Sequence, residues 1–496
     1  MQKQQVGKMY INGEWVFGSK GDTRPVVNPA TEEVISYVTE GTIYDAKWAV
    51  ACARRAFDNQ AEWGSSHARD RAHLLHQLAN LLEADREEFA KIETLNGGKT
   101  MREADYDVSD AVNQLRYFAG LAAAPHGQTY DVPEDMQAMV VREPVGVVAQ
   151  IIPWNYPLVM ATQKLAPAIA AGCTIVIKPA EQTPLSLIRL FSLIDQLDFP
   201  PGVINMVLGA GETVGAELSR NPLVDMVAFT GGTSTGIAIM KAAADTVKKV
   251  GLELGGKSPN IVFHDADFDV AVDHALYAIF ANQGQVCSAG SRLLLDKKIY
   301  DSFVTELVDR AKAIVVGPGT DPASEMGPLI SKEQLNRVLG YIELGKEEGA
   351  TVLCGGKRME GAGYFVEPTI FTDTTRDMRI VQEEIFGPVL VIQTFETEEE
   401  AIALANGTKY GLAGAVFTSD VAKAHRVIKR LRAGITWINT YHYTYNEAPW
   451  GGYKQSGIGR ELGTYGYDEY LETKQVNVNL HVAPTEWFAK KELEKK

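Results

Sequence analysis

Two α/β regions built on parallel sheets are the fold class the sequence predicts, and three observations carry the expectation. From residue 145 onward, short and fully apolar runs alternate with stretches of helical periodicity, as strands buried on both faces do. The length of 496 residues suggests two or three domains rather than one core. The apolar runs also end in glycine, amide or charged residues, and in open α/β sheets ligands bind at the carboxyl ends of strands.

Residues 42–95 read as helices, with Leu74, Leu78, Leu81 and Phe89 among the apolar positions at helical spacing. Strands are expected at 145–152, 174–177, 203–208, 226–229 and 261–263, with helices at 158–170, 184–197 and 235–244. The first four runs lead into Pro153–Tyr156, Lys178–Glu181, Gly209–Gly215 and Thr230–Gly236. A second α/β region is expected over about residues 257–434, with strands at 292–295 and 389–395. Residues 476–480 alternate apolar and polar, like a half-exposed strand of the kind that often pairs with another subunit. The charged tail 490–496 is expected to fray.

Composition narrows the function. Hydrophobic content of 45% and charged content of 22% are those of a soluble globular protein. A net charge of −15 argues against nucleic acid and against an anionic membrane surface, since both need clustered Lys and Arg. Met1–Tyr10 holds no apolar signal core, and no apolar run reaches the roughly 18 residues of a spanning helix. The four cysteines lack disulfide or metal-ligand spacing, so the expected home is the reducing cytoplasm and no metal is expected.

Cys287 differs from Cys52, Cys173 and Cys354 in its company. Asn282, Gln283, Gly284, Gln285, Ser288 and Gly290 surround it, and such small and polar neighbours let a substrate and a backbone N–H approach the sulfur. A thiol buried near a loop is the plainer alternative. Gly251–Ser258 matches the phosphate-loop spacing G-x-x-x-x-G-K-S, but Pro259 and an apolar run follow where that loop needs a helix. Gly209, Gly211 and Gly215 are spaced one residue too widely for the dinucleotide fingerprint G-x-G-x-x-G. His73 and His76 lack a third metal ligand and read as a solvated helix face. Glu253 lies between leucines beside paired glycines, where burial would raise its pKa toward that of a general base, unless it sits exposed on a strand edge. Asn155 is either a turn residue or a donor to a developing oxyanion.

Pro153-Trp-Asn155, Lys178-Pro-Ala-Glu181, Phe229-Thr-Gly-Gly232, Leu252-Glu-Leu-Gly-Gly-Lys257, the Cys287 segment and Glu383-Glu-Ile-Phe-Gly-Pro388 occur in this order. Together they resemble the aldehyde dehydrogenase superfamily over about residues 12–474. The resemblance implies an aldehyde dehydrogenase-like fold with three parts. These are a variant Rossmann NAD-binding domain (1–122 and 146–256), an α/β catalytic domain (257–455) and a small β oligomerisation element (123–145 and 471–482). It implies that Cys287 attacks the aldehyde, that Asn155 and the Cys287 N–H hold the oxyanion, and that Glu253 activates water. Lys164, Glu461 and, more weakly, Lys454 match positions of a proton relay.

For the cofactor NAD, the same resemblance places Lys178 and Glu181 at the adenosine ribose and Gly209 near the adenosine part. Thr230, Gly231 and Gly232 would lie near the pyrophosphate, Glu384 at the nicotinamide ribose and Phe386 near its ring, with Ile152, Trp154 and Leu254 lining the cleft. Glu181 would repel a 2′-phosphate, so NAD is expected over NADP.

Val286–Leu293 and Ala448–Leu462 are most similar to the betaine aldehyde dehydrogenases, which hold a trimethylammonium group in an aromatic box. Tyr156 and Trp450 match two walls; Gln163 and Ala281 stand where tryptophan is common. Tyr441, Tyr443 and Tyr445 are candidate replacements, and Glu447 could attract a cation. The expected reaction is oxidation of a small aldehyde, betaine aldehyde among the candidates, by a homodimer or homotetramer. A CoA-acylating enzyme and a catalytically silent NAD-binding relative are the alternatives. Glu253 favours water over CoA, and the presence of both Cys287 and Glu253 disfavours silence.

Overall fold

In the computed structural model, the fully apolar runs pair side by side as parallel strands, because both their faces are covered. The structure describes residues 6–59, 61–124, 127–485 and 487–488; the charged tail 490–496 and the first five residues of the chain lie outside them. The first sheet has the order Glu14–Val16, Met9–Ile11, Ile204–Met206, Thr174–Lys178, Val147–Ile151, Met226–Thr230, Lys249–Glu253, Gly457–Ile458. Its inner strands are parallel, and the antiparallel strands Met9–Ile11 and Gly457–Ile458 are additions that the apolar pattern did not announce. From Val147–Ile151 the chain first builds outward through Thr174–Lys178 and Ile204–Met206. It then returns to place Met226–Thr230 on the other side. That reversal is a topological switch, and in open α/β sheets ligands bind at the carboxyl ends of the strands flanking such a point.

The helical expectation for 42–95 resolves into Ile43–Asp58, Ala68–Ala84 and Arg86–Gly97. The first starts at a capping box in which Thr42 and Asp45 exchange side-chain and backbone hydrogen bonds. The third stops at Gly98, whose φ of 86° only glycine adopts without strain. Pro157–Ala171 is buried all round and packs against Met101–Ala122.

The second sheet runs Thr351–Cys354, Thr369–Thr372, Val389–Phe395, Arg292–Asp296, Pro259–Val262, Ala413–Phe417, Ile435–Ile438, parallel except for its first pair. Each sheet has its own core, with Val148, Ile175 and Val227 in one and Val262, Leu293 and Ala415 in the other. Full burial of each such Val, Leu or Ile contributes roughly 1.5–3 kcal/mol. A separate three-stranded antiparallel sheet joins Gln128–Tyr130, Met136–Pro144 and Leu471–Asn479. The terminal strand is longer than its alternating core suggested, and its outer edge is unpaired among the described residues.

Candidate functional site

Residues Leu254–Ser258 carry the chain from the carboxyl end of one sheet to the start of the other, and the site is built around this crossing. Leu254 N donates to Ser456 O at 2.8 Å, and Ser456 Oγ donates to Gly255 O at 2.7 Å. A Cβ on Gly255 would stand 2.2 Å from Glu384 Oε2, and one on Gly256 would stand 2.3 Å from Cys287 O. The paired glycines therefore let the crossing fit between Glu384 and the Cys287 loop. Gly256 N donates to Glu384 Oε1 at 2.9 Å. After Ser258 comes the strand Pro259–Val262 and not a helix, so the phosphate-loop spacing is coincidental.

The helix Phe268–Phe280 delivers Cys287 through a left-handed stretch: Asn282 has φ 44°, Gln283 φ 56° and Gly284 φ 70°. Left-handed backbone costs roughly 1–2 kcal/mol per non-glycine residue, so contacts must hold it. Asn282 N donates to Glu103 Oε1 at 2.7 Å, and Ile330 N donates to Gln285 Oε1 at 3.0 Å. Tyr441 OH donates to Ser288 O at 2.9 Å on the other side of the sulfur. Gly284 passes so close to Gly387 that a Cβ would stand 2.1 Å from its carbonyl oxygen.

Asn155 enters this loop from the first sheet. Its Nδ2 donates to Gln285 O at 2.8 Å, and its own carbonyl accepts from Asn282 Nδ2 at 3.3 Å. A carboxamide nitrogen has two hydrogens, so the second remains for a ligand. Cys287 is half-buried, whereas Cys52, Cys173 and Cys354 are buried. Burial pushes the Cys287 thiol up to about 12, helped by the nearby carboxylates Glu384 and Glu253 and opposed by the N–H groups of Ser288 and Cys287. It rests as a thiol and needs a base.

Glu253 is buried, and neither of its carboxylate oxygens has a hydrogen-bond partner among the described residues. Burial, and then the charge of Glu461, hold it well above the usual carboxylate range, while Lys164 and Arg460 act the other way. Lys164 is fully buried on Pro157–Ala171, and its ammonium binds both the Glu461 carboxylate and Thr230 Oγ1, the latter at 2.7 Å. Glu461 is fixed by backbone bonds of 2.7 Å in each direction with Trp450.

Four strand ends line the crevice beside these groups. Ile152 N donates to Lys178 O at 2.9 Å; Lys178 Nζ donates to Pro179 O at 2.8 Å and lies 3.7 Å from Glu181 Oε1. The Glu181 carboxylate accepts from Gly211 N. Gly209 has φ 132°, and a Cβ there would stand 2.8 Å from Gly41 O. Thr230, Gly231 and Gly232 lead into the helix Thr233–Ala244, whose first amides have no side-chain cap, and Gly232 faces open space. Trp154 meets Phe386 edge to face with ring centroids 5.2 Å apart, joining the loops of the two sheets. Uncapped amides suit a phosphate, and the carboxylates Glu181 and Glu384 suit ribose hydroxyls, so these residues fit a dinucleotide.

Residues 15–476 match the aldehyde dehydrogenase family. The chain belongs to that family. It is 52% identical over 485 residues to a betaine aldehyde dehydrogenase of Bacillus subtilis (strain 168), covering 97% of this chain and 99% of the relative. Retinal dehydrogenase 2 of Mus musculus is 48% identical, over 95% of this chain and 92% of its own. A crystal structure of betaine aldehyde dehydrogenase from Staphylococcus aureus in complex with NAD+ superposes with a TM-score of 0.96 at 50% identity. The superposition covers 98% of this chain and 97% of that one.

In this aldehyde dehydrogenase several expected residues have other surroundings. The Lys454 ammonium donates to Asn406 O at 3.2 Å and Thr408 O at 2.7 Å, which directs it away from the Glu253–Glu461 group. Tyr441 is spent on supporting the Cys287 loop, and Tyr443, Tyr445 and Glu447 are exposed. Tyr156 and Trp450 both pack against the second core, and the Lys99 ammonium sits 4.6 Å from the Tyr156 ring centroid. Lys99 is itself buried between Glu93 and Asp107. Gln163 turns to Glu461. Sequence reasoning missed Gln114, Glu103, Arg460 and Ser456. Ser456 and Arg460 lie inside the Ala448–Leu462 stretch without a role read for them there, and each of the four acts through a long-range side-chain contact.

Proposed function

We propose that this chain oxidises a small aldehyde to its carboxylic acid with NAD, through a thioester on Cys287. The observation that carries the reading is the crossing segment, which sets Gly256 against the Cys287 carbonyl and brings the thiol within the electrostatic reach of Glu253, the residue before the segment. Cys287 is partly open to solvent, and it gives its proton to solvent as its sulfur bonds to the aldehyde carbon; the oxyanion is held by Asn155 Nδ2 and the Cys287 N–H. One such donor is typically worth about 3–4 kcal/mol. Bound NAD would supply the hydride acceptor for conversion of the thiohemiacetal to a thioester. Glu253 then takes a proton from water, and the resulting hydroxide releases the acid and restores the thiol. Lys164 and Glu461 pass that proton outward, while Lys454 is turned to other partners.

Lys178 and Glu181 hold the adenosine ribose, with Gly209 beside the adenosine. Thr230, Gly231 and Gly232 hold the pyrophosphate, Glu384 the second ribose, and Phe386, Trp154, Ile152 and Leu254 line the cleft. Tyr156 and Trp450 wall the aldehyde side. The three-stranded sheet, with its open nine-residue edge Leu471–Asn479, docks copies of the chain into a homodimer or homotetramer. Free cysteines suit the cytoplasm, and no helix among the described residues is long and apolar enough to cross a membrane.

Betaine aldehyde is a finer reading, favoured by the 52% identical Bacillus subtilis relative. The test is a kcat/KM series with NAD and no CoA, comparing betaine aldehyde with neutral aldehydes of similar size. NADH and free acid should form, and Cys287→Ala should form neither. Equal values across the series would remove betaine aldehyde as the preferred substrate, and a requirement for CoA would overturn the hydrolytic reading.

A further inference from the structure

Gln163 sits where the resemblance sets an aromatic wall, yet its side chain is committed elsewhere. It is 4% exposed on the helix Pro157–Ala171, next to Lys164. Its Nε2 donates to Glu461 Oε2, while Lys164 Nζ binds Glu461 Oε1. A carboxylate only accepts, so the amide nitrogen must face Glu461 and the amide oxygen must face away. That oxygen accepts from Gln114 Nε2 at 3.4 Å, and Gln114 Oε1 accepts from Thr162 Oγ1 at 2.6 Å. The Gln163 amide is therefore fixed at both ends, and the two oxygens of Glu461 are divided between neighbouring residues of one rigid helix. An indole has one N–H and no acceptor, so a tryptophan here could not make both bonds.

Glu461 matters because its charge is the leading side-chain influence raising Glu253, against Lys164 and Arg460, with Glu469 adding to the rise. We propose that Gln163 is a positioning residue that clamps Glu461 onto Lys164 and so fixes the group to which Glu253 passes its proton. The inference rests on the reading of Glu253 as the base for acid release. On this account the chain has exchanged one wall of the aldehyde tunnel for a polar anchor of the relay, which also leaves the tunnel less aromatic.

The test uses Gln163→Leu, which removes the donor, and Gln163→Glu, which sets an acceptor against Glu461. Both should slow steady-state turnover about tenfold or more, the size expected for losing a hydrogen bond to a charged group. NADH formed in the first turnover should keep its amplitude. The acid limb of kcat should move to higher pH, further for Gln163→Glu, because added negative charge favours protonated Glu253. In a Glu461→Gln background, Gln163→Leu should add nothing further. Unchanged pH profiles, or effects that add fully in that background, would overturn the proposal. Should Gln163→Leu lose first-turnover amplitude together with thermal stability, Gln114→Leu loosens the same amide from its far side. It must move the acid limb in the same direction, and an unmoved limb overturns the proposal. If the unsubstituted enzyme makes no NADH from any aldehyde, the assigned reaction fails and this inference with it.

Discussion

Glu253 and Glu384 flank the same thiol from opposite sheets, both raised by burial, and the fold equips them for different work. Glu384 is tied: one oxygen accepts the Gly256 N–H, and its pKa is raised to about 7. Glu253 is also held well above its ordinary range, but both its oxygens lack partners among the described residues. A carboxylate fixed by a backbone donor is suited to hold a ligand, whereas an unbonded one is free to take a proton. The same crossing segment creates the contrast, because Gly256 gives its N–H to Glu384 while the Gly255 carbonyl accepts from Ser456 Oγ.

The largest effect that would sharpen this contrast is at Glu253. Glu253→Gln should lower steady-state turnover by about 10²–10⁴-fold, the usual contribution of a positioned base, with NAD affinity unchanged. A loss confined to the KM for NAD would instead make Glu253 a second ligand holder. Asn155→Ala touches neither carboxylate and should slow first-turnover NADH formation by about 10²–10³-fold, as removal of an oxyanion donor does. If acid release slows and NADH formation does not, Asn155 belongs to the water step.

Much of this geometry was legible in the sequence. An isolated carboxylate between leucines beside paired glycines could be read as a buried base, and the polar, glycine-flanked setting of Cys287 as an approachable thiol. The apolar runs placed the strands, since strands covered on both faces leave no polar alternation to obscure them. What could not be read depended on contacts across the chain. The left-handed backbone at Asn282 and Gln283 is imposed by Glu103 and by the packing of Gly387, more than 100 residues away on either side. Lys454 carried a relay expectation, yet its orientation is decided by the carbonyls of Asn406 and Thr408. Edge strands of two or three residues have too few positions to show a period.

Smaller effects belong to Glu384. Glu384→Gln should raise the KM for NAD about tenfold and leave kcat nearly unchanged, since the amide keeps an acceptor for Gly256 and loses the charge. A collapse of kcat would break the division of labour between the two carboxylates. The pH dependence is smaller still. Glu384 is protonated below about 7, so the KM for NAD should rise severalfold as pH falls through 7. That rise should vanish in Glu384→Gln. Because Glu253 is raised, kcat should climb with pH in both forms.

The most direct test of the central claim, a Cys287 thioester hydrolysed with the help of Glu253, is mass analysis of enzyme quenched during turnover. In Glu253→Gln, supplied with NAD and an oxidisable aldehyde, an acyl group should accumulate on the peptide carrying Cys287 after NADH has formed. NADH formation by that variant with no acyl group on Cys287 and undiminished acid release would contradict the account.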